Sequence, residues 1–166
     1  METQDLMQIH KLYDNWTLWA HLPHDTNWDL NSYTKIFSIE TMEQGVALLE
    51  MLPDIMIKNC MLFIMRNNIQ PIWEDPNNKE GGSFSYKLPN KSVKEVWKNL
   101  SYLIMGEYLI GDENIQLLIN GITISPKKNF CIIKIWLKDC SVTNPDIFNK
   151  LSNISFACLF KKHTSD

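Results

Sequence analysis

The segment at residues 69–82 reads I-Q-P-I-W-E-D-P-N-N-K-E-G-G and combines residue types that could bind a flat ligand. Trp73 follows a predicted strand and Pro71, so we expect it on a surface loop, with Glu74 beside it. Trp28, in the polar stretch H-D-T-N-W-D, is a second Trp with loop-like surroundings. The alternative is that the Trp73 indole folds back over a sheet edge beside two solvated acids.

Two indoles and a carboxylate favour a particular kind of ligand. A base stacked on an aromatic side chain gains about 1–3 kcal/mol, and a cationic ring gains more because the indole face is electronegative. A carboxylate accepts strong hydrogen bonds from two adjacent N–H groups. Guanine methylated at N7 has a cationic ring with N1–H and the 2-amino group side by side, so it meets all three requirements.

The rest of the chain supplies the elements that must position these residues. Alternating or apolar stretches predict seven strands, at 16–22, 33–39, 60–65, 83–88, 116–125, 130–138 and 154–160. Helical periodicity predicts helices at 41–52, with Thr41 as N-cap, and at 93–104, with Ser92 as cap and Gly106 or Gly111 at the end. A short third helix is predicted at 145–151, capped by Asn144. This order indicates an α+β fold, an antiparallel sheet with helices on one face.

Composition excludes several classes of protein. The 166 residues are 45% hydrophobic and 21% charged, which predicts one folded domain rather than a disordered chain. A net charge of -3 argues against a general nucleic-acid coat. No signal peptide or membrane span is recognisable, and the four cysteines lack zinc spacing. We expect Cys60, Cys131 and Cys158 to be buried free thiols in a cytosolic or nuclear protein.

The order of the aromatic motifs resembles that of the eukaryotic translation initiation factor 4E family, which binds the messenger-RNA cap. The resemblance extends from His10 to about His163. It rests on Trp28 and on four segments: H-K-L-Y-D-N-W-T-L-W at 10–19, P-I-W-E-D-P-N-N-K-E-G-G at 71–82, V-W-K-N-L-S-Y-L-I-M-G-E at 96–107, and K-I-W at 134–136.

The resemblance implies a curved antiparallel sheet with about three helices on its convex face and a cap-binding pocket on its concave face. In that pocket Trp28 and Trp73 would sandwich 7-methylguanine, and Glu74 would accept from N1–H and the 2-amino group while its backbone N–H donates to O6. Trp136 would touch the N7-methyl group. Structural roles in the family are implied for Trp16, Trp19 and Trp97, and for Trp97 the helical periodicity agrees.

The phosphate side departs from the family pattern. Ser83 stands where the family often has a basic residue, and Ile132 stands where it has a lysine. Lys127 falls at the place of the main phosphate-binding Arg. Lys134 shares a strand face with Trp136 and could compensate. Further candidates for phosphate contact are Lys128, Lys161 and Lys162, although most lysines are simply solvated.

The implied protein-partner surface is altered as well. The family binds a helical peptide of the scaffold factor 4G, or of repressors, on its convex face, where Val46 replaces a central Trp and Lys98 and Tyr102 replace two Leu. Candidates for retained contacts are His10, Leu12, Met42, Met105 and Gly106, with ordinary core packing an equal alternative for the two methionines. These changes should weaken ordinary partner helices or select a different one.

We therefore expect a single domain over residues 1–166 with a short flexible N-terminus, acting as a monomeric, cytoplasmic, non-enzymatic cap-binding protein in translation initiation, without cofactor, metal or membrane. A cap-binding repressor or decoy is the first alternative. A nucleotide hydrolase using His10, His21, His24 or His163 is the second, but no nucleophile, metal or phosphate-loop motif accompanies them. The shortened, Asn- and Ile-rich chain suggests a divergent member from a virus or a parasite.

Overall fold

A single seven-stranded sheet forms the centre of the computed structural model, which describes residues 8–148 and 158–164. The strands are β1 Lys11–His21, β2 Tyr33–Thr41, β3 Met61–Arg66, β4 Gly82–Pro89, β5 Ile119–Pro126, β6 Phe130–Leu137 and β7 Cys158–Lys162. Their order is β2-β1-β3-β5-β6-β4-β7, and every neighbouring pair is antiparallel. The predicted α+β class with a curved antiparallel sheet is confirmed.

The described residues contain five α-helices: α1 Met42–Met51, α2 Asp54–Asn59, α3 Pro76–Lys79, α4 Val93–Met105 and α5 Glu113–Gln116. Single 3-10 turns occur at Leu30–Ser32, Asn90–Ser92 and Pro145–Ile147. The two longer predicted helices are confirmed as α1 and α4. The predicted helix at 145–151 is only a 3-10 turn where it is described, and 149–151 lie outside the described residues. The sequence did not predict α2, α3 or α5.

Helix ends follow the predicted capping in part. The Thr41 side chain accepts from the Gln44 backbone N–H, and the Gln44 side chain reciprocates, which forms a capping box at the start of α1. Gly106 ends α4, and Asn144 caps the 3-10 turn Pro145–Ile147. Ser92 occupies the predicted N-cap position of α4, but its side chain makes no cap hydrogen bond.

Strand boundaries differ from the predictions at three places. β1 begins at Lys11, five positions before the predicted start, because its first half pairs with β2 through irregular register. Gln116 belongs to α5 rather than to the strand predicted at 116–125. The strand predicted at 154–160 is observed from Cys158 onward, and 154–157 lie outside the described residues.

Side chains alternate between the two faces of the sheet, and each face packs into its own cluster. Trp16 and Leu62 represent the larger cluster, which fills the space between the sheet and the helices. Phe63, Met65 and Trp136 form a smaller cluster with Ile69 on the opposite face. The second cluster places two buried aromatic rings, those of Phe63 and Trp136, on the face without the main helices.

The cysteines are unpaired in the structure. Cys60 and Cys131 are buried as predicted, whereas Cys140 and Cys158 are partly exposed, so the expectation of a buried Cys158 is wrong. Cys158 lies on the edge strand β7, where only one neighbouring strand covers it. None of the helices in the described part of the chain has the length and apolarity needed to cross a bilayer.

Candidate functional site

A pocket of about 300 Å³ opens on the sheet face opposite the large helical core. We call it the ligand pocket. Its walls come from strands β2, β3, β5 and β6 and from the loops that carry Trp28 and Trp73, and the lining residues are Trp28, Tyr33, Met61, Phe63, Pro71, Ile72, Trp73, Glu74, Thr123, Lys134 and Trp136. All four residues that the sequence suggested for cap binding therefore meet in one pocket.

The loop that carries Trp73 and Glu74 is held by the polar residues that follow them. The Asp75 carboxylate caps α3 by accepting from the Asn77 backbone N–H at 2.8 Å, and it accepts from the Gln70 N–H at 2.8 Å. The fully buried Asn78 donates to the carbonyls of Gln70 and Ile72 at 3.0 and 2.9 Å. In the W-E-D-x-x-N pattern, Trp and Glu face the pocket while Asp and Asn fix the loop.

The two glycines after this loop are required by close backbone approach. A Cβ at position 81 would lie 1.8 Å from the Leu137 carbonyl oxygen, and a Cβ at position 82 would lie 2.5 Å from the Phe160 ring. Only Gly fits such contacts. The G-G pair thus brings the end of the Trp73 loop directly onto the sheet.

Trp73 is 45% exposed, and its ring lies nearly parallel to that of His163, with centroids 6.1 Å apart and an angle of 9°. His163 Nδ1 is 2.6 Å from the Asn78 carbonyl, and its Nε2 is 2.6 Å from Ser83 Oγ. A carbonyl only accepts, so Nδ1 carries the proton and Nε2 accepts from the Ser83 hydroxyl. Burial, followed by the charge of Lys134, lowers the pKa of His163 and favours this neutral form.

Trp28 is 56% exposed on the loop between β1 and β2, and one of its faces is stacked on His21. Polar side chains order this loop. The Asn27 N–H donates to Asp25 at 2.9 Å, and the Asp29 N–H donates to the Asn27 side chain at 2.9 Å. The loop therefore presents its indole to the pocket from the β1–β2 side of the sheet.

Aromatic contacts continue across the pocket floor. Trp136 is 3% exposed and donates its indole N–H to Thr123 Oγ1 at 2.8 Å. Phe63 makes edge-to-face contacts with Tyr33 and with Trp136, at centroid distances of 5.4 and 6.4 Å. Because Trp136 is buried and its indole N–H is paired with Thr123, it can offer a ligand only a small apolar part of its ring.

Charge is distributed unevenly around the pocket. Burial and then the Glu74 charge raise the pKa of Tyr33 on β2, so the two side chains lie within electrostatic range of each other. On the β6 side, burial and then the charges of Lys127 and Lys161 lower the pKa of Lys134. Lys134 Nζ and Lys161 Nζ each lie 5.9 Å from the Trp73 ring. The pocket lining thus combines the Glu74 carboxylate with the Lys134 ammonium group, and the Lys161 ammonium group lies equally close to the Trp73 ring.

The five lysines suggested for phosphate contact do not form one group. Lys134 lines the pocket, and Lys127 and Lys161 lie near enough to influence its charge. Lys161 pairs with Ser83 in the β4–β7 register, on the face where Ser83 contacts His163. Lys162 follows it on the strand and alternates to the opposite face. Lys128 is exposed in the β5–β6 turn.

Comparison with known proteins assigns the chain. The sequence profile described as Eukaryotic initiation factor 4E matches residues 11–164. The chain belongs to the eukaryotic initiation factor 4E family. The factor 4E of Eremothecium gossypii is 28% identical over 145 residues, covering 82% of this chain and 66% of the relative. A factor 4E homologue of Acanthamoeba polyphaga mimivirus is 45% identical over 62 residues, or 37% of this chain and 23% of the relative.

Solved structures of the 4E family share the fold. Caenorhabditis elegans eIF4E-3, in complex with the 4E-binding protein Mextli and a cap analogue, gives a TM-score of 0.78 at 19% identity, over 94% of each chain. Ascaris suum eIF4E-3 with an m7G cap gives 0.78 at 18% identity, over 96% of this chain and 94% of that one. The chain spans about two thirds or less of the curated relatives from Eremothecium and mimivirus.

The three Trp residues interpreted as structural in the 4E family are packed rather than presented to the ligand pocket. Trp16 and Trp97 are 0% and 1% exposed in the helical core. The Arg66 guanidinium lies over Trp16 at 4.4 Å from the ring centroid. Trp19 is partly buried against the second cluster. None of these three appears among the residues that line the pocket.

A larger apolar groove of about 770 Å³ lies between α1, the start of β1 and the end of α4. We call it the partner groove. Of the eight residues suggested for a protein partner, six line it: Leu12, Met42, Val46, Tyr102, Met105 and Gly106. Met42 and Val46 are 54% and 47% exposed, whereas Met105 is buried at 3%. Core packing therefore describes Met105 but not Met42.

The other two suggested partner residues make polar contacts with acidic side chains of α1 next to the groove. His10 Nδ1 lies 2.6 Å from Glu43 on α1. Lys98 pairs with Glu50, whose carboxylate also accepts from the Tyr102 hydroxyl at 3.2 Å. The positions where the family resemblance implied two Leu thus form a polar link between α1 and α4.

Sequence reasoning missed several residues that shape the pocket. His21 and His163 were considered only as potential catalytic bases, yet each stacks on a pocket Trp. Asn78 was part of a recognised motif but had no assigned role. The signal for His21 was its place at the end of a strand, on the same face as Trp19. For His163 no signal was available, because its contacts are made across 80 or more residues.

Proposed function

We propose that this chain binds the 7-methylguanosine cap of messenger RNA in the ligand pocket and acts in translation initiation in the cytoplasm. The observation that carries the proposal is the pairing of two exposed indoles with one carboxylate and a nearby lysine group in a single pocket. A cationic ring favours the indole faces and the carboxylate. A polyphosphate attached to that ring favours the ammonium groups.

In this proposal the base stacks between Trp28 and Trp73, and Glu74 accepts from N1–H and the 2-amino group. The Glu74 backbone N–H donates to O6, and Trp136 contacts the N7-methyl group. Lys134 is the first phosphate ligand because it lines the pocket, and Lys127 and Lys161 support it. Lys128 and Lys162 contribute only through their longer-range charge. The solved relatives with an m7G cap and with a cap analogue support a cap as the ligand.

Retention on 7-methyl-GTP resin tests the proposal. We expect the protein to bind the resin, free 7-methyl-GTP to elute it, and GTP at the same concentration to leave most of it bound. The cationic ring supplies this difference, because GTP lacks the charge that the indole faces attract. Equal elution by the two nucleotides would overturn the proposal, as would a failure to bind in low salt.

The partner groove is the proposed binding site for a second partner, a helical peptide of a scaffold factor or of a repressor. Structures of relatives include complexes with the 4E-binding protein Mextli and with a 4E-BP. An amphipathic helix is a fitting occupant because the groove between α1 and α4 exposes two apolar side chains of α1, those of Met42 and Val46. We infer that the groove keeps a helix-binding role with altered partner choice.

A repressor or decoy is the second candidate function, and the polar link of Lys98, Glu50 and Tyr102 favours it. Burying that link under an apolar helix costs desolvation free energy, which disfavours a helix with only apolar anchors. A pull-down with a scaffold-type 4E-binding helix separates the two functions. Tight binding supports initiation, and absence of binding by a protein that still holds the cap supports repression.

We propose binding without chemistry. The described residues contain no cluster of His, Cys, Asp or Glu suited to hold a metal ion. His163, whose two ring nitrogens are both hydrogen-bonded, has neither nitrogen free to act as a base. Incubation of 7-methyl-GTP with the protein, followed by chromatography, tests this. We expect intact nucleotide, and release of phosphate at a rate proportional to protein concentration would contradict it.

A further inference from the structure

His21 is the residue on which the exposed indole of Trp28 rests. Its side chain is 1% exposed at the end of β1. The imidazole and indole rings are parallel within 4°, with centroids 4.1 Å apart. One face of Trp28 is thus covered by protein, and a ligand can stack only on the other face.

The same imidazole also fixes the backbone next to Trp28. His21 Nε2 lies 2.7 Å from the Asn27 carbonyl oxygen. Because a carbonyl oxygen only accepts, Nε2 carries the proton and donates. His21 therefore holds both the ring of Trp28 and the peptide unit that precedes it.

His21 is itself held rigidly. Its backbone pairs with Tyr33 on β2 and with Met61 on β3, so the residue lies between two strands. The Tyr33 ring contacts the imidazole edge-on at 5.0 Å. A side chain fixed on three sides can transmit the rigidity of the sheet to a loop that would otherwise leave its indole free to change rotamer.

We propose that His21 is a positioning residue that preorganises Trp28 for stacking and thereby contributes to the preference for a cationic base. This inference rests on the proposed function of the ligand pocket. Preorganisation improves affinity because less conformational freedom is lost on binding. It also keeps the free indole face parallel to an incoming ring, the geometry on which cation–π attraction depends.

Three substitutions separate the stacking from the hydrogen bond. His21→Phe keeps an aromatic ring and loses the donor, His21→Gln keeps a donor and loses the ring, and His21→Leu loses both. Since an aromatic pair contributes about 0.5–1.5 kcal/mol, we expect Gln and Leu to weaken 7-methyl-GTP binding about three- to tenfold. We expect Phe to retain most of the affinity. The ratio of 7-methyl-GTP to GTP affinity should fall in the Gln and Leu variants and stay high with Phe.

A ligand-free measurement keeps this inference distinct from the proposed function. In protein labelled with 5-fluorotryptophan, Trp28→Phe identifies the ¹⁹F resonance of Trp28. Stacking on His21 should shift that resonance away from the position of a solvated indole. We expect the shift to persist with His21→Phe and to collapse with His21→Gln and His21→Leu, while thermal unfolding shows that each variant is folded.

An unchanged Trp28 resonance in folded His21→Gln would overturn the positioning role. A Phe variant that loses as much affinity as the Leu variant would overturn the stacking contribution. If the wild-type protein fails to bind 7-methyl-GTP, the proposed function falls, and the ¹⁹F spectra alone then decide whether His21 positions Trp28.

Discussion

The ligand pocket and the partner groove lie on opposite faces of the same sheet, and they agree with the family resemblance to different degrees. The pocket keeps each residue that the family resemblance implied for base recognition. Its loop is held by the Gln70 N–H, which donates to Asp75, and by Asn78, which donates to the Ile72 carbonyl. The groove is larger and mostly apolar, and an exposed Val46 lines it at the position where the family resemblance implied a Trp. The pocket therefore agrees with the family resemblance at its base-recognition positions, whereas the groove departs from it.

The phosphate side is intermediate between these two cases. Ser83 bonds to His163 instead of supplying a charge, and Lys134 enters the pocket from β6. Positive charge near the Trp73 ring therefore comes from Lys134 and Lys161, two of the suggested candidates, rather than from position 83. Long-range attraction depends on charge more than on the identity of the residue, which permits such replacement.

The largest expected effect is the loss of a pocket wall. Trp73→Ala should abolish measurable binding of 7-methyl-GTP, because it removes one stacking face and the surface on which His163 rests. Isothermal titration calorimetry, which does not depend on tryptophan fluorescence, measures this affinity directly. Val46→Trp serves as the matched control in the groove and should leave nucleotide binding unchanged. A Trp73→Ala protein that binds 7-methyl-GTP within about threefold of the wild-type affinity would show that Trp73 is not an essential wall of the pocket.

Glu74→Ala should have the next largest effect on the pocket. Removal of the carboxylate leaves two donors of the base unpaired in a partly desolvated site, at a cost of about 2–5 kcal/mol. Calorimetric titration with 7-methyl-GTP measures the loss. Glu80→Ala, a change at an exposed carboxylate outside the pocket lining, is the control for net charge. Equal losses in the two variants would show that charge alone acts.

A Trp at position 46 tests whether the partner groove binds a helix. Val46→Trp should strengthen binding of a scaffold-type 4E-binding helix by about 2 kcal/mol, since a central Trp is a common interface anchor. Fluorescence anisotropy of a labelled peptide measures it. Adding Lys98→Leu should strengthen binding further by removing the polar link to Glu50. No gain in either protein would indicate that the groove serves no such helix.

Lys134 should contribute about tenfold to triphosphate affinity, in the range of hydrogen bonds to charged groups. Lys134→Met should lower affinity for 7-methyl-GTP more than for 7-methylguanosine. Because the pKa of Lys134 is lowered, rising pH discharges it before an ordinary lysine. In the wild-type protein, affinity for 7-methyl-GTP should therefore begin to fall at a pH below the range in which lysines usually lose their charge. The Lys134→Met variant should not show this early fall. Parallel pH profiles would contradict this role.

The smallest expected effect concerns stability around Trp73. The pKa of His163 is lowered in the folded state, so the unfolded chain binds a proton first as pH falls below about 6.5. Stability should therefore decrease as pH falls through that window. His163→Gln should lose this component, which urea unfolding at pH 7.5 and 5.5 would measure. Equal pH dependence in the two proteins would show that His163 does not titrate in this window.

The sequence predicted most of the strands and the four central pocket residues because these depend on local pattern and motif order. Thr41 and Gly106 marked helix ends correctly through short-range chemistry. The short helices α3 and α5 escaped prediction, since a single turn has no periodicity to read. Lys134 was placed on the correct face because strand alternation is a local rule.

What could not be predicted depends on contacts between distant segments. His163 meets Ser83 and Asn78 only after β7 has paired with β4. The stacking of His21 on Trp28 needs the loop conformation that Asn27 and Asp25 create. The ion pair of Lys98 with Glu50 requires the packing of α4 against α1. Such contacts follow from topology, which one sequence specifies only indirectly.

The central claim is that the ligand pocket recognises a cationic base between Trp28 and Trp73. Calorimetric titration of the wild-type protein with 7-methyl-GTP and with GTP, at one pH and one salt concentration, tests it most directly. We predict that the methylated nucleotide binds at least about a hundredfold more tightly, because cation–π attraction and the Glu74 hydrogen bonds act together. Equal affinity for the two nucleotides would contradict the account.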